Sequence, residues 1–110
     1  MADYQNIIST IQQTAGVSGV AVVDANGASL QSAMPADATT DLGQVARSVY
    51  GNIAVQIKRM QRGNLQRLVL ETEQGVTLLS GLAGGELLIV FVDVSEGFNL
   101  AQLIETASRF

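Results

Sequence analysis

The sequence predicts one α/β domain of the α+β type over residues 1–110, with a five-stranded antiparallel sheet between one long helix and two shorter ones. Three observations carry this fold class. Short β-branched runs are separated by turn signals that suit hairpins. Three stretches repeat apolar residues at helical spacing. Two strand runs, 17–23 and 87–92, are apolar on both faces, as strands are when both sides of their sheet are covered.

Taken in order, Tyr4, Ile7, Ile8 and Ile11 form an i, i+3, i+4, i+7 stripe that predicts a helix over 3–14, with Gly16 as its stop. Residues 17–23 follow as a central strand. Asp24-Ala25-Asn26-Gly27 is a hairpin turn into a weaker strand at 28–33, antiparallel to the first. Pro35 and the polar stretch to Thr40 interrupt the pattern, and Asp41 with Gln44 resembles a capping box opening the longest helix, 42–62. Its stripe of Leu42, Val45, Ala46, Val49, Ile53, Ile57 and Met60 is expected to lie on the sheet.

Gly63-Asn64 ends that helix, and 65–73 alternates polar and apolar residues in the manner of an edge strand. Gln74-Gly75 turns the chain into 76–82, and Ala83-Gly84-Gly85-Glu86 turns it into 87–92. Asp93 to Gly97 is expected as a loop. Leu100, Leu103, Ile104 and Ala107 mark a last helix ending at Phe110. The element order is αββαβββα.

Composition narrows the chemistry. The chain has no cysteine and no histidine, which removes disulfides, thiolate nucleophiles, the usual zinc ligands and the commonest general base. A binding protein without a cofactor or metal is expected, not an enzyme. A net charge of −4 argues against nucleic acid as a partner. The N-terminus lacks a basic leader region and no apolar run approaches the roughly 20 residues a bilayer span needs, so no membrane partner is expected and the location is cytoplasmic. Only 15% of residues are charged while 47% are hydrophobic, more than so small a domain buries alone. Self-association would bury the rest.

Two surfaces qualify for binding. One helix face mixes small residues with an aromatic at Gly43, Arg47, Tyr50 and Ala54, and small residues let a second helix approach. The edge strand has no proline to block pairing; Leu65, Arg67, Val69, Glu71 and Glu73 share one side, and Arg67 is free to face Glu71 or Glu73 of a second copy. These residues, Arg47 and Glu73 aside, form the expected homodimer interface. The remaining helix face carries Gln44, Ser48, Gly51, Val55, Lys58 and Arg62, with Arg59 at its margin. Arg47, Lys58, Arg59 and Arg62 are four of the six basic residues of an acidic chain. They read either as a solvated face or as a docking platform centred on Gly51 and Val55.

Three stretches together resemble the Roadblock (dynein light chain) domain family: Gly16-Val-Ser-Gly-Val-Ala-Val-Val-Asp-Ala-Asn-Gly27, Leu65-Gln-Arg-Leu-Val-Leu-Glu-Thr-Glu-Gln-Gly75, and Gly85-Glu-Leu-Leu-Ile-Val-Phe-Val-Asp93 before Phe98-Asn-Leu. The resemblance spans nearly the whole chain and is nearest in length to bacterial regulators of gliding-motility GTPases. It implies a profilin-like fold in which two copies join their third strands, with the long helices side by side. It also implies a small Ras-like GTPase as partner, with this chain as scaffold or as a promoter of GTP hydrolysis. An arginine finger is the less favoured route, because nothing selects one arginine. A small-molecule sensor and a purely structural adaptor are the alternatives on such a fold.

Gly81-Leu-Ala-Gly84-Gly85 lacks the lysine and hydroxyl of a phosphate loop and joins two strands, so it reads as a turn. Asp24 and Asp93 fall at the ends of adjacent strands, where paired carboxylates could do acid–base or metal chemistry. A turn role for Asp24 and a helix-capping role for Asp93 are preferred.

Overall fold

In a computed structural model, which describes residues 3–93 and 98–110, the elements run α1 (Tyr4–Gln12), β1 (Val17–Val23), β2 (Ser29–Ala33), α2 (Leu42–Arg59), β3 (Arg67–Thr72), β4 (Gly75–Gly81), β5 (Leu87–Val92) and α3 (Leu100–Ala107). The expected loop at 93–97 lies, from 94 to 97, outside the described residues. The strands form one antiparallel sheet in the order β2-β1-β5-β4-β3, with β5 central and β3 at an edge.

Alternate residues of the central strands feed two cores. Val20, Val22, Leu88, Val90 and Val92 meet Ile7, Ile8 and Ile11 of α1 and Leu103 and Ala107 of α3. Ala21, Val23, Leu87 and Ile89, with Leu79, meet Ala46 of α2 on the other face. This double burial is why β1 and β5 are apolar on both sides.

The turns follow their side chains. Asp24 Oδ1 accepts from the amides of Asn26 and Ala28, both at 2.9 Å, and Gly27 takes φ +86°. The β4–β5 turn closes with the Leu82 amide donating to the Glu86 carbonyl at 2.9 Å, and Gly85 has φ +91°. The glycine cluster is therefore a hairpin turn, as its composition implied.

Two helix starts differ from expectation. Asp41 does precede α2, but its side chain makes no cap bond and instead accepts from Thr39 Oγ1 at 2.6 Å, so the capping box with Gln44 is not formed. The N-cap of α3 is Asn99, whose side chain accepts from the Gln102 amide at 3.2 Å. Asp93 is therefore not the N-cap of α3; its amide donates to the Gly16 carbonyl at 2.8 Å, tying the end of β5 to the start of β1.

The long helix differs more. It starts against the β1–β2 turn, crosses the sheet, and reaches the start of β3 at Tyr50. Of its stripe only Ala46 is buried, with Leu42 and Val49 packed beside it. Val45 is 46% and Met60 65% exposed, and Ile53 and Ile57 join neither core. At about 1.5 Å per residue, Gly51–Arg59 carries the helix roughly 13 Å beyond Tyr50, past the β3 edge. The stripe lies on the sheet for half its length, and the rest overhangs.

Candidate functional site

The overhang sets the geometry of both binding surfaces. Gly43 and Tyr50 prove to be occupied within the chain. A Cβ on Gly43 would run into the Gly27 carbonyl, so this glycine lets α2 sit on the β1–β2 turn. Tyr50 packs on the α2-side core, and its hydroxyl donates to the Leu65 carbonyl at 2.8 Å. Both residues therefore make contacts within their own chain. Ala54, one turn beyond Tyr50, is half-buried and lies in the overhanging part with Ile53, Ile57 and Met60.

On the outer side of α2, Gly51 has open space around it, Val55 is 57% exposed, and Lys58, Arg59 and Arg62 are exposed, while Arg47 is half-buried. Arg59 Nη1 donates to Gln56 Oε1 at 3.4 Å. Among the described residues the only ion pair is Arg109 with Glu105 on α3, at 3.8 Å. The α2 cations are thus not neutralised by the carboxylates described, and Val55 is an apolar centre with a basic rim.

At the neighbouring edge, β3 alternates as expected. Leu68 packs on the α2-side core, and Leu70 and Thr72 share its side of the strand. Arg67, Val69 and Glu71 lie on the side of the two short helices, opposite Ser80, Leu78 and Val76 of β4. Val69 is 37% exposed. Leu65 precedes the strand and is held by Tyr50.

The paired-carboxylate alternative loses its geometry. β1 and β5 are neighbours but antiparallel, with Val17 opposite Val92 and Val23 opposite Leu87, so Asp24 and Asp93 stand at opposite ends, about 20 Å apart. Among the described residues no three His, Cys, Asp or Glu side chains group to hold a metal ion. Among the described residues Ser80 and Thr106 are the buried polar ones, and Thr106 Oγ1 donates to the Gln102 carbonyl at 2.9 Å. Two surface clefts, of about 490 and 700 Å³, flank residues 34–41, and no buried charge points into either. Among the described residues no helix is long and apolar enough to cross a membrane.

One contact had no sequence signal. Tyr4 Oη donates to Glu86 Oε2 at 2.6 Å, joining α1 to the β4–β5 turn across 82 positions. The tyrosine hydroxyl, and then the backbone at Glu86, hold the Glu86 carboxyl below its ordinary range against partial desolvation, while the same bond raises Tyr4. Glu86 Oε1 is buried and has no hydrogen-bond partner among the described residues.

The family model described as Roadblock/LC7 domain matches residues 3–91. A sequence comparison with curated proteins gives no match. Among solved structures, a Roadblock/LC7 domain from Streptomyces avermitilis is similar at TM-score 0.82 and 15% identity, covering 98% of this chain and 91% of that one. The gliding protein MglB from Thermus thermophilus is similar at TM-score 0.76 and 17% identity, covering 96% of this chain and 80% of that one. MglB from Myxococcus xanthus is similar at TM-score 0.79 and 14% identity, covering 98% and 90%.

Proposed function

Because this chain belongs to the Roadblock/LC7 domain family, we propose that it is a cytoplasmic homodimer that binds a small Ras-like GTPase as a regulator or scaffold, without catalytic residues of its own. The observation that carries the proposal is the division of α2 into an apolar overhang and an outer face where Val55 sits among Arg47, Lys58, Arg59 and Arg62. The overhanging Ile53, Ile57 and Met60 and the free edge of β3 point to a second copy. A partner β3 paired to this edge would extend the sheet beneath the overhang, about 4.8 Å outward, and give those side chains a surface to cover. The outer face stays open in that dimer and is doubled by it.

The GTPase docks on this outer face, with Gly51 permitting close approach and the basic rim meeting acidic groups. Where hydrolysis is promoted, the route is repositioning of the partner's switch loops, since nothing singles out one arginine for a nucleotide site. Retention of a purified small Ras-like GTPase on the immobilised protein, loaded with GDP or a slowly hydrolysed GTP analogue, tests this. Retention that weakens about tenfold with Val55→Asp is expected. No retention in either nucleotide state overturns it.

A further inference from the structure

The hydrogen-bond phase of β3 limits how two copies can pair. The turn from Thr72 to Gly75 has two residues between its flanking pair, and the Gly81 amide donates to the Gln66 carbonyl at 3.2 Å. In an antiparallel ladder hydrogen-bonded and non-hydrogen-bonded pairs alternate. Gln66, Leu68, Leu70 and Thr72 therefore turn their backbone groups toward β4, and Arg67, Val69 and Glu71 turn theirs to the free edge. A second β3 joining this edge must set odd-numbered residues against odd-numbered residues. The two-fold axis then passes through position 68, 69 or 70 and never between two positions.

We infer that two copies of this chain pair their β3 strands in the register centred on Val69, with Arg67 of each copy opposite Glu71 of the other. The inference rests on the proposed homodimer and specifies its geometry. In this register two opposite charges meet at both ends, Val69 meets its own copy, and Leu68 faces Leu70 twice on the α2 side, beneath the overhanging Ile53 and Ile57. Opposite-charge and apolar cross-strand pairs both stabilise a ladder. Centring on Leu70 would put Arg67 against Glu73 but Val69 against Glu71 and Leu68 against Thr72. Centring on Leu68 would leave Arg67 against Val69 and Leu65 against Glu71. Only the register on Val69 matches every position of the strand in chemistry.

The absence of cysteine makes the test clean. A single cysteine placed at 68, 69 or 70 reports its distance to its own copy. Opposed residues of a hydrogen-bonded pair have Cα atoms about 5.5 Å apart, within disulfide reach, whereas residues displaced by two positions are about 8 Å apart, beyond it. Under mild oxidation Val69→Cys should form a disulfide dimer. Leu68→Cys and Leu70→Cys should each fail alone and cross-link when mixed. Cross-linking of Leu70→Cys or Leu68→Cys alone, without Val69→Cys, overturns the register while leaving the dimer in place. A wild-type protein that is monomeric by native mass spectrometry overturns the dimer itself.

Charge exchange gives a second measurement that needs no cysteine. Arg67→Glu and Glu71→Arg should each weaken self-association about tenfold, since each spoils two symmetric pairs, and the double variant should recover to within about twofold. Glu73→Arg should leave it within about twofold. A double variant no better than either single one, or rescue of Arg67→Glu by Glu73→Arg instead, contradicts the register.

Discussion

The two halves of α2 share one apolar stripe and lead different lives. From Leu42 to Tyr50 most of the stripe is spent within the chain: Ala46 is buried with Leu42 and Val49 beside it, and only Val45 is exposed, while Gly43 sits on Gly27 and Tyr50 is bonded to Leu65. From Gly51 to Arg59 the same periodicity continues over no described sheet, and Ile53 and Ile57 join neither core. Helical spacing identifies the apolar face of a helix; it does not say which chain covers that face.

Substitution to aspartate should separate the halves most widely. Ala46→Asp buries an unpaired carboxylate and should cost about 3–5 kcal/mol in urea unfolding, enough to unfold much of the protein. Ile57→Asp should leave the unfolding of the isolated chain within about 1 kcal/mol while abolishing self-association. Equal destabilisation by both would erase the distinction.

Glycine replacements sharpen it further. Gly43→Ala forces a Cβ against the Gly27 carbonyl and should destabilise by about 1–3 kcal/mol, because the obstacle is backbone. Gly51→Ala meets nothing and should stabilise by about 0.5–1 kcal/mol through better helix propensity. Thermal denaturation of both variants should therefore give shifts of opposite sign.

Most of the fold could be read from the sequence because strand and helix periods differ and the turns carry their own chemistry. Asp24 at a turn start and Gly85 at positive φ are local facts, and the edge place of β3 followed from its alternation. What local spacing leaves open is the partner of a residue, not its element. The small size of Gly43 signalled a close approach without saying to what, and Asp41 marked the helix start while bonding elsewhere. Asp24 and Asp93 each follow a central strand, and the antiparallel pairing of those strands puts the two carboxylates at opposite ends of the sheet. Tyr4 and Glu86 meet only because the sheet brings α1 beside the β4–β5 turn.

That last contact predicts a smaller effect on the opposite face of the sheet. The carboxyl of Glu86 is lowered in the folded state, so its contribution is present above its unfolded pKa and is lost as pH falls through the folded value. Tyr4 is raised, so its contribution is present below its unfolded pKa and fades as pH rises through the folded one. Tyr4→Phe should unfold at lower urea than wild type near neutral pH, and the gap should close in acid. A gap unchanged into acid would mean that the bond adds nothing to stability. Self-association should be the same for both proteins, since neither residue belongs to the overhanging half of α2 or to β3.

The most direct test of the division within α2 is the mass in solution, by light scattering at micromolar concentration, of the wild type beside Ile57→Asp. One chain is 11.6 kDa. The wild type should give twice that, about 23 kDa, and Ile57→Asp should give a folded single chain. A wild type at 11.6 kDa, or an Ile57→Asp protein that remains fully paired, would contradict the assignment of the overhanging half to a second copy.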